Sequence, residues 1–278
     1  MKQIIYTLML IIAIIFSGCS LEQKEILDTH DSQLVEQVPV ETNNEFLNVV
    51  GKQNNLTIIS SEVVYYGDVK GYLAKPDDNK AYPGIVIIHE WWGLNENIKN
   101  TADVLASEGY VVLAVDLYNG EIAKNSTEAM ALRNKVNKEE SIENMKSAVN
   151  YLRETQGSEK VASYGWCFGG GKSAELSVSD VKLDATIIYY GTLPQNISEI
   201  EKIKGPVLGV FGRNDTAIAV KTVDVFKMGL EESDIKNEIY VYDGVGHAFA
   251  NPSGANFAKE ETKDSWNKTL VFLEDNLK

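Results

Sequence analysis

From residue 84 onward, short unbroken apolar runs alternate with longer stretches in which apolar residues return every three or four positions. The short runs cover residues 84–88, 110–115, 161–166, 183–190, 207–211 and 238–242. Runs of this kind predict strands buried on both faces, as in a parallel sheet. The periodic stretches predict helices. One covers 95–108, where Ile98, Ala102 and Leu105 share a face and Gly109 supplies the stop. A second helical region, 127–156, is expected to break near Asn137, and two more helices fall around 220–230 and 257–276. Upstream, residues 57–66 are rich in β-branched and aromatic side chains, Gly67-Asp68 punctuates them, and 69–74 alternate apolar with polar. That pattern predicts an antiparallel hairpin. Strand alternating with helix then implies an α/β fold: a mostly parallel central sheet with an antiparallel hairpin at its start and helices on both faces.

The first 55 residues follow a different pattern. Ile4 to Phe16 form an apolar run, followed by Ser17-Gly18-Cys19. The run is short for a bilayer span and fits the apolar region of an export signal. Residues 1–18 are therefore expected to be a lipoprotein-type signal, with Cys19 as the lipid attachment point; ordinary secretion and a retained anchor are the alternatives. A single acyl chain binds a membrane weakly, so a stable anchor needs several. Residues 19–55 are polar and acidic and are expected to form a flexible tether. Residues 56–278 then make up the folded domain, outside the cytoplasm by either export route.

Charge and counts narrow the chemistry. A net charge of −14 argues against nucleic acid or an anionic membrane surface as partner. The two cysteines are Cys19 and Cys167, so no disulfide framework is expected. The three histidines, His30, His89 and His247, offer no metal-ligand spacing, and neither metal nor cofactor is expected. A monomer is the default.

Gly165-Trp166-Cys167-Phe168-Gly169-Gly170 stands where a predicted strand meets a predicted helix. This is the Gly-x-nucleophile-x-Gly turn with Cys in place of the usual Ser. The bend is so tight that side chains two residues either side would collide, and the helix start aims partial positive charge at the sulfur. A structural cysteine or a phosphate-cradling loop are the competing readings; the Gly-Lys-Ser/Thr of a P-loop is not at its spacing. In parallel sheets the working residues stand beyond the strand C-termini. Those ends carry His89-Glu90-Trp91-Trp92, Cys167, Arg213-Asn214-Asp215 and Asp243-Gly244-Val245-Gly246-His247. Nucleophile, acid and histidine in that order match the α/β-hydrolase order. Cys167 fits the nucleophile, His247 the base and Asp215 the carboxylate that orients it. Taken singly, His247 could be a loop histidine and Asp215 a turn residue. Asp243 is a rival acid close to His247, and His89 is expected to order its loop.

His89-Glu90-Trp91-Trp92-Gly93-Leu94-Asn95, Gly165-Trp-Cys-Phe-Gly-Gly170 and Gly246-His-Ala-Phe249 resemble the dienelactone hydrolase family over roughly residues 65–277. The resemblance implies an α/β-hydrolase that cleaves esters, typically enol-lactones, with a triad of Cys167, His247 and Asp215. It also implies that Glu90 contacts the thiol, and that the backbone N–H groups of Trp91 and Phe168 form the oxyanion hole. Two departures stand out. Members acting on dienelactone carry arginines for the substrate carboxylate; here Asn119-Gly120 follows Asp116-Leu-Tyr118, and Asn251 stands four residues after His247. Arg213 matches neither place. Trp91, Trp92, Trp166 and Phe249 could line an apolar pocket or belong to the core. The expected function is therefore an exported or lipid-anchored hydrolase of a small carboxylic ester or lactone. The alternative is a non-catalytic binding or sensor protein on the same fold. A thiol redox protein would need a second cysteine nearby.

Overall fold

The computed structural model describes Val49, Val50, Asn54 and residues 56–278. The expected signal, Cys19 and nearly all of the expected tether lie outside the described residues. The last part of that tether stretch is already engaged with the folded domain. Val50 is buried in the core, and the Asn54 N–H donates to Glu108 Oε2 at 2.9 Å.

Eight strands form one sheet: β1 (Ile58–Tyr66), β2 (Val69–Pro76), β3 (Gly84–Ile88), β4 (Val111–Val115), β5 (Val161–Trp166), β6 (Ala185–Tyr189), β7 (Val207–Gly212) and β8 (Asn237–Tyr242). Their order across the sheet is β1-β2-β4-β3-β5-β6-β7-β8. β2 is antiparallel to both β1 and β4, and every other neighbouring pair is parallel. The sequence doubles back between β4 and β5, so β3 and β5 lie side by side at the centre with their C-terminal ends together.

The helices are α1 (Glu96–Ser107), α2 (Ser126–Lys135), α3 (Lys138–Asn150), α4 (Phe168–Ser177), α5 (Ile197–Ile200), α6 (Val220–Glu232) and α7 (Lys259–Leu277). Side chains two apart along a strand share a face, and the central strands divide their apolar residues accordingly. Ile85 and Ile87 of β3 and Val112 and Ala114 of β4 pack with Ile98, Ala102 and Leu105 of α1 and Trp266 and Leu270 of α7. Val86, Ile88, Leu113 and Val115 pack on the opposite side with Met145, Val149 and Leu152, in and just after α3. Farther along that second side, Ile188 and Phe211 meet Phe226 and Leu230 of α6. Both faces of the sheet are thus covered, which is why these strands carry no polar alternation.

Asparagines mark the helix starts. The side chains of Asn95, Asn125 and Asn137 accept from the N–H groups of Ile98, Glu128 and Glu140. The expected break falls at Val136, which is extended, and Asn137 restarts the chain as α3. α3 runs on into a single π-helical turn, Tyr151–Thr155.

Candidate active site

Cys167 joins β5 to α4 with φ 55° and ψ −115°, a conformation that side-chain-bearing residues avoid. Backbone packed on backbone holds it there. A Cβ on Gly165 would stand 2.0 Å from Gly169 O, and one on Gly169 2.1 Å from Ile88 O. One on Gly170 would stand 2.5 Å from Tyr189 O, and one on Gly191 2.2 Å from the carbonyl carbon of Gly170. The first turn of α4 can therefore sit directly on the ends of β3, β5 and β6. Cys167 N–H donates to Tyr189 O at 3.0 Å, and Cys167 O accepts from Gly171 N–H at 3.1 Å to open the helix. Phe168 is the first helical residue, so its N–H lacks an intrahelical acceptor and points the positive end of α4 outward.

His247 lies between the other two expected residues. Its Nε2 is 3.0 Å from Cys167 Sγ and its Nδ1 2.8 Å from Asp215 Oδ2. The Asp215 side chain is fully buried, and its Oδ1 accepts from the N–H groups of Ala217 and Ile218 at 2.7 and 2.9 Å. An ionised carboxylate only accepts, so the proton of the pair sits on Nδ1 and Nε2 faces the sulfur. Burial works against charge on both groups, but the contacts outweigh it. Hydrogen bonds to Asp215 and Cys167 hold the imidazole up at about 10. The bonds from His247 and the two amides keep Asp215 below the usual carboxylate range. The rival acid Asp243 is exposed and ion-paired with Arg213.

Glu90 departs from expectation. Its Oε2 accepts from Asn251 Nδ2 at 2.6 Å, and it makes no hydrogen bond to the thiol. Asn251 reaches the carboxyl, while His247 takes up the sulfur. Burial pushes Glu90 up to about 7, against the attraction of His247 and the Asn251 bond. His89, wholly buried, orders its loop as expected: Nε2 accepts from Leu117 N–H at 3.1 Å, so Nδ1 donates to Glu90 O at 2.6 Å. Trp91 follows in a turn, and its N–H donates to no protein acceptor among the described residues.

The four aromatic candidates separate. Phe249 is fully buried against Tyr190 and Tyr242, and Trp166 stacks on Tyr164 with centroids 3.9 Å apart. Trp91 and Trp92 remain half-buried, edge to face at 5.1 Å, and pack with Tyr118, Phe168 and α2. Ile122 and Met130 add exposed apolar surface in the neighbouring loop and on α2. Tyr190 carried no signal in the sequence beyond its place at a strand end. Its ring stands T-shaped to His247 at 5.3 Å.

The strand order, with the strained Gly-x-Cys-x-Gly turn leaving β5 at its centre, defines an α/β-hydrolase. Comparison with known proteins narrows the class. The profile of the Dienelactone hydrolase family matches residues 69–277, and the chain belongs to that family. It is 31% identical over 258 residues to a provisionally named carboxymethylenebutenolidase of Saccharolobus solfataricus, covering 77% of this chain and 98% of that protein. It is 33% identical over 223 residues to protein usf of Aquifex pyrophilus, covering 75% and 94%. Among solved structures, a dienelactone hydrolase-like promiscuous phosphotriesterase from metagenomic libraries shares the fold, with a TM-score of 0.73 and 20% identity over 80% of this chain and 99% of that one.

Proposed function

We propose that the protein hydrolyses a carboxylic ester or lactone through a thioacyl intermediate on Cys167. The observation that carries the reading is His247 held between the Cys167 sulfur and the Asp215 carboxylate. Proton transfer to Nε2 leaves a thiolate beside an imidazolium that Asp215 supports. The thiolate attacks the carbonyl carbon, and the oxygen takes up the displaced electron pair. In this reading the amides of Phe168 and Trp91 receive that oxyanion, each such donor contributing about 3 kcal/mol to the transition state. Collapse breaks the C–O bond, and the leaving alkoxide takes the proton from His247. Water then gives a proton to His247 and attacks the thioester; collapse releases the acid and restores the sulfur.

The surroundings favour a neutral substrate. The position four residues after His247 is Asn251, whose amide already serves Glu90, so no guanidinium stands there to clamp a carboxylate. The half-buried Trp91 and Trp92, with exposed Ile122 and Met130, offer apolar contact instead. Export and lipid attachment at Cys19 belong to the same proposal and rest on residues 4–19 of the sequence. Among the described residues no helix is long and apolar enough to cross a membrane.

The test is hydrolysis of 4-nitrophenyl butyrate and a panel of lactones by the wild type, by Cys167→Ala and after iodoacetamide. Turnover should fall at least about 10³-fold in the variant and on alkylation. Turnover that survives both, or ligand binding with no turnover of any ester, would overturn the reading.

A further inference from the structure

A second histidine is buried beside the nucleophile turn, and the proposed chemistry gives it no part. His89 follows β3 directly and is wholly buried. The backbone around it lies against the start of α4: a Cβ on Gly169 would stand 2.1 Å from Ile88 O and 2.6 Å from His89 O. Each ring nitrogen makes one hydrogen bond, Nε2 with Leu117 N–H at 3.1 Å and Nδ1 with Glu90 O at 2.6 Å. A backbone N–H only donates and a carbonyl only accepts, so the role of each nitrogen is fixed. Nε2 keeps its lone pair, Nδ1 carries the proton, and the ring is neutral. Burial also pushes its ionisation down, against the bond to Glu90 O and the attraction of Asp116. The ring stands T-shaped to Tyr118 at 4.7 Å and lies 6.0 Å from the ring of Phe168. One imidazole thus joins the loop after β3, the loop after β4 and the first residue of α4.

Glu90 O and the Trp91 N–H belong to one peptide unit. That unit is planar and trans, so its C=O and N–H point in opposite directions. A donor that fixes Glu90 O therefore also fixes the direction of the Trp91 N–H. Glu90 O takes a second, longer bond from Gly93 N–H at 3.3 Å, which closes the turn carrying Trp91 and Trp92. The Trp91 N–H itself donates to no protein acceptor among the described residues. A bond to the carbonyl also polarises the peptide and strengthens its N–H as a donor. We propose that His89 is a positioning residue for the oxyanion. Held as the Nδ1–H tautomer by Leu117, it aims the Trp91 N–H at the oxygen that takes up charge when the Cys167 thiolate adds to a carbonyl. The inference deepens the hydrolase reading and rests on its assignment of the Trp91 amide to the oxyanion. His89 neither touches the substrate nor exchanges a proton during the reaction.

Two reagents for Cys167 separate the aim of that donor from the assembly of the site. Addition of the thiolate to an aryl trifluoromethyl ketone forms a sulfur–carbon bond and leaves the carbonyl electron pair on oxygen, so the adduct needs the oxyanion donors. Iodoacetamide loses iodide to the thiolate at a saturated carbon, and no oxyanion forms. His89→Leu removes both ring hydrogen bonds. His89→Phe removes them too but keeps a ring against Tyr118 and Phe168, so a failure of one variant to fold leaves the other. His89→Gln keeps one donor and one acceptor on a planar group. Thermal denaturation shows which are folded. His89→Leu and His89→Phe should each weaken ketone binding by about 10²-fold. Their alkylation rates should stay within about twofold of wild type. His89→Gln should recover most of the lost affinity. Proton–nitrogen correlation spectra of the wild-type histidine rings, which need no variant, should show His89 as the neutral Nδ1–H tautomer at neutral pH. Unchanged ketone affinity in a folded His89→Leu or His89→Phe overturns the proposal, as does an equal loss in both reactions. So does a His89→Gln as weak as His89→Leu, a wild type that forms no ketone adduct, or a wild-type ring protonated on Nε2. A wild type that forms the adduct yet cleaves no ester sinks the hydrolase reading alone.

Discussion

Replacing Glu90 by Gln should make the protein more stable, and the gain should depend on pH in a defined direction. Glu90 is 93% buried by its 7% exposure, and its ionisation is pushed from an ordinary 4.5 up to about 7. A carboxyl that ionises later in the folded state than in the unfolded chain binds its proton more tightly when folded. Folding is therefore unpenalised below pH 4.5, loses stability as pH rises from 4.5 to about 7, and carries the full cost above that. At about 1.4 kcal/mol per pH unit, the cost of the buried carboxylate reaches about 3 kcal/mol. Gln keeps the shape and can still accept from Asn251 while removing the charge. For a domain of this size, each kcal/mol moves the melting temperature by roughly 2–4 °C. Thermal denaturation at pH 4.5 and pH 8 should therefore show near-equal proteins at the lower pH. At the higher pH Glu90→Gln should melt roughly 6–12 °C above wild type. A gap of the same size at both values, or a wild type that is the more stable at pH 8, would refute the reasoning. Buried charge that costs stability is expected where function retains it.

Asp215→Asn should leave the fold intact but put an amide N–H opposite His247 Nδ1, forcing the proton to Nε2; kcat/KM on an activated ester should fall about 10³–10⁴-fold. Because Asp215 ionises below the usual range, the stability its charge adds is complete above its ordinary 3.8 and disappears as pH falls through its lower folded value. The destabilisation of Asp215→Asn measured in urea at pH 7 should accordingly shrink toward pH 3. Gly169→Ala would put a methyl 2.1 Å from Ile88 O and 2.6 Å from His89 O, both backbone. Neither neighbour can swing aside, so we expect a loss of several kcal/mol, read as a lower melting temperature, together with loss of rapid Cys167 alkylation. Cys19→Ala should release the protein from the membrane fraction, checked by fractionation and acyl labelling; retention would remove the lipid anchor from the proposal.

The strands were legible because runs such as 84–88 and 161–166 are buried on both faces and need no polar alternation. Asn137 betrayed the helix break because a capping side chain is a local feature. α5 escaped because one helical turn has no period to detect, and the Val50 contact because two valines in a polar stretch look like chance. At the site, Cys167, Asp215 and His247 could be placed because each follows its own strand end, and topology brings those ends together. The fate of Glu90 could not be read, since it turns on an amide 161 residues away. Tyr190 was hidden for a related reason. A tyrosine ending an apolar strand looks like core, and only packing shows its ring against His247. Trp166 and Phe249 were ambiguous as sequence and proved to be packed in the interior.

The glycine seam around Cys167 sets where this protein can change. Gly165, Gly169, Gly170 and Gly191 occupy a joint with no slack, so any library that varies them samples almost only broken molecules. Trp91, Trp92, Ile122 and Met130, by contrast, are partly or largely open to solvent. New specificities, natural or engineered, should therefore accumulate at those residues while the glycine seam stays frozen.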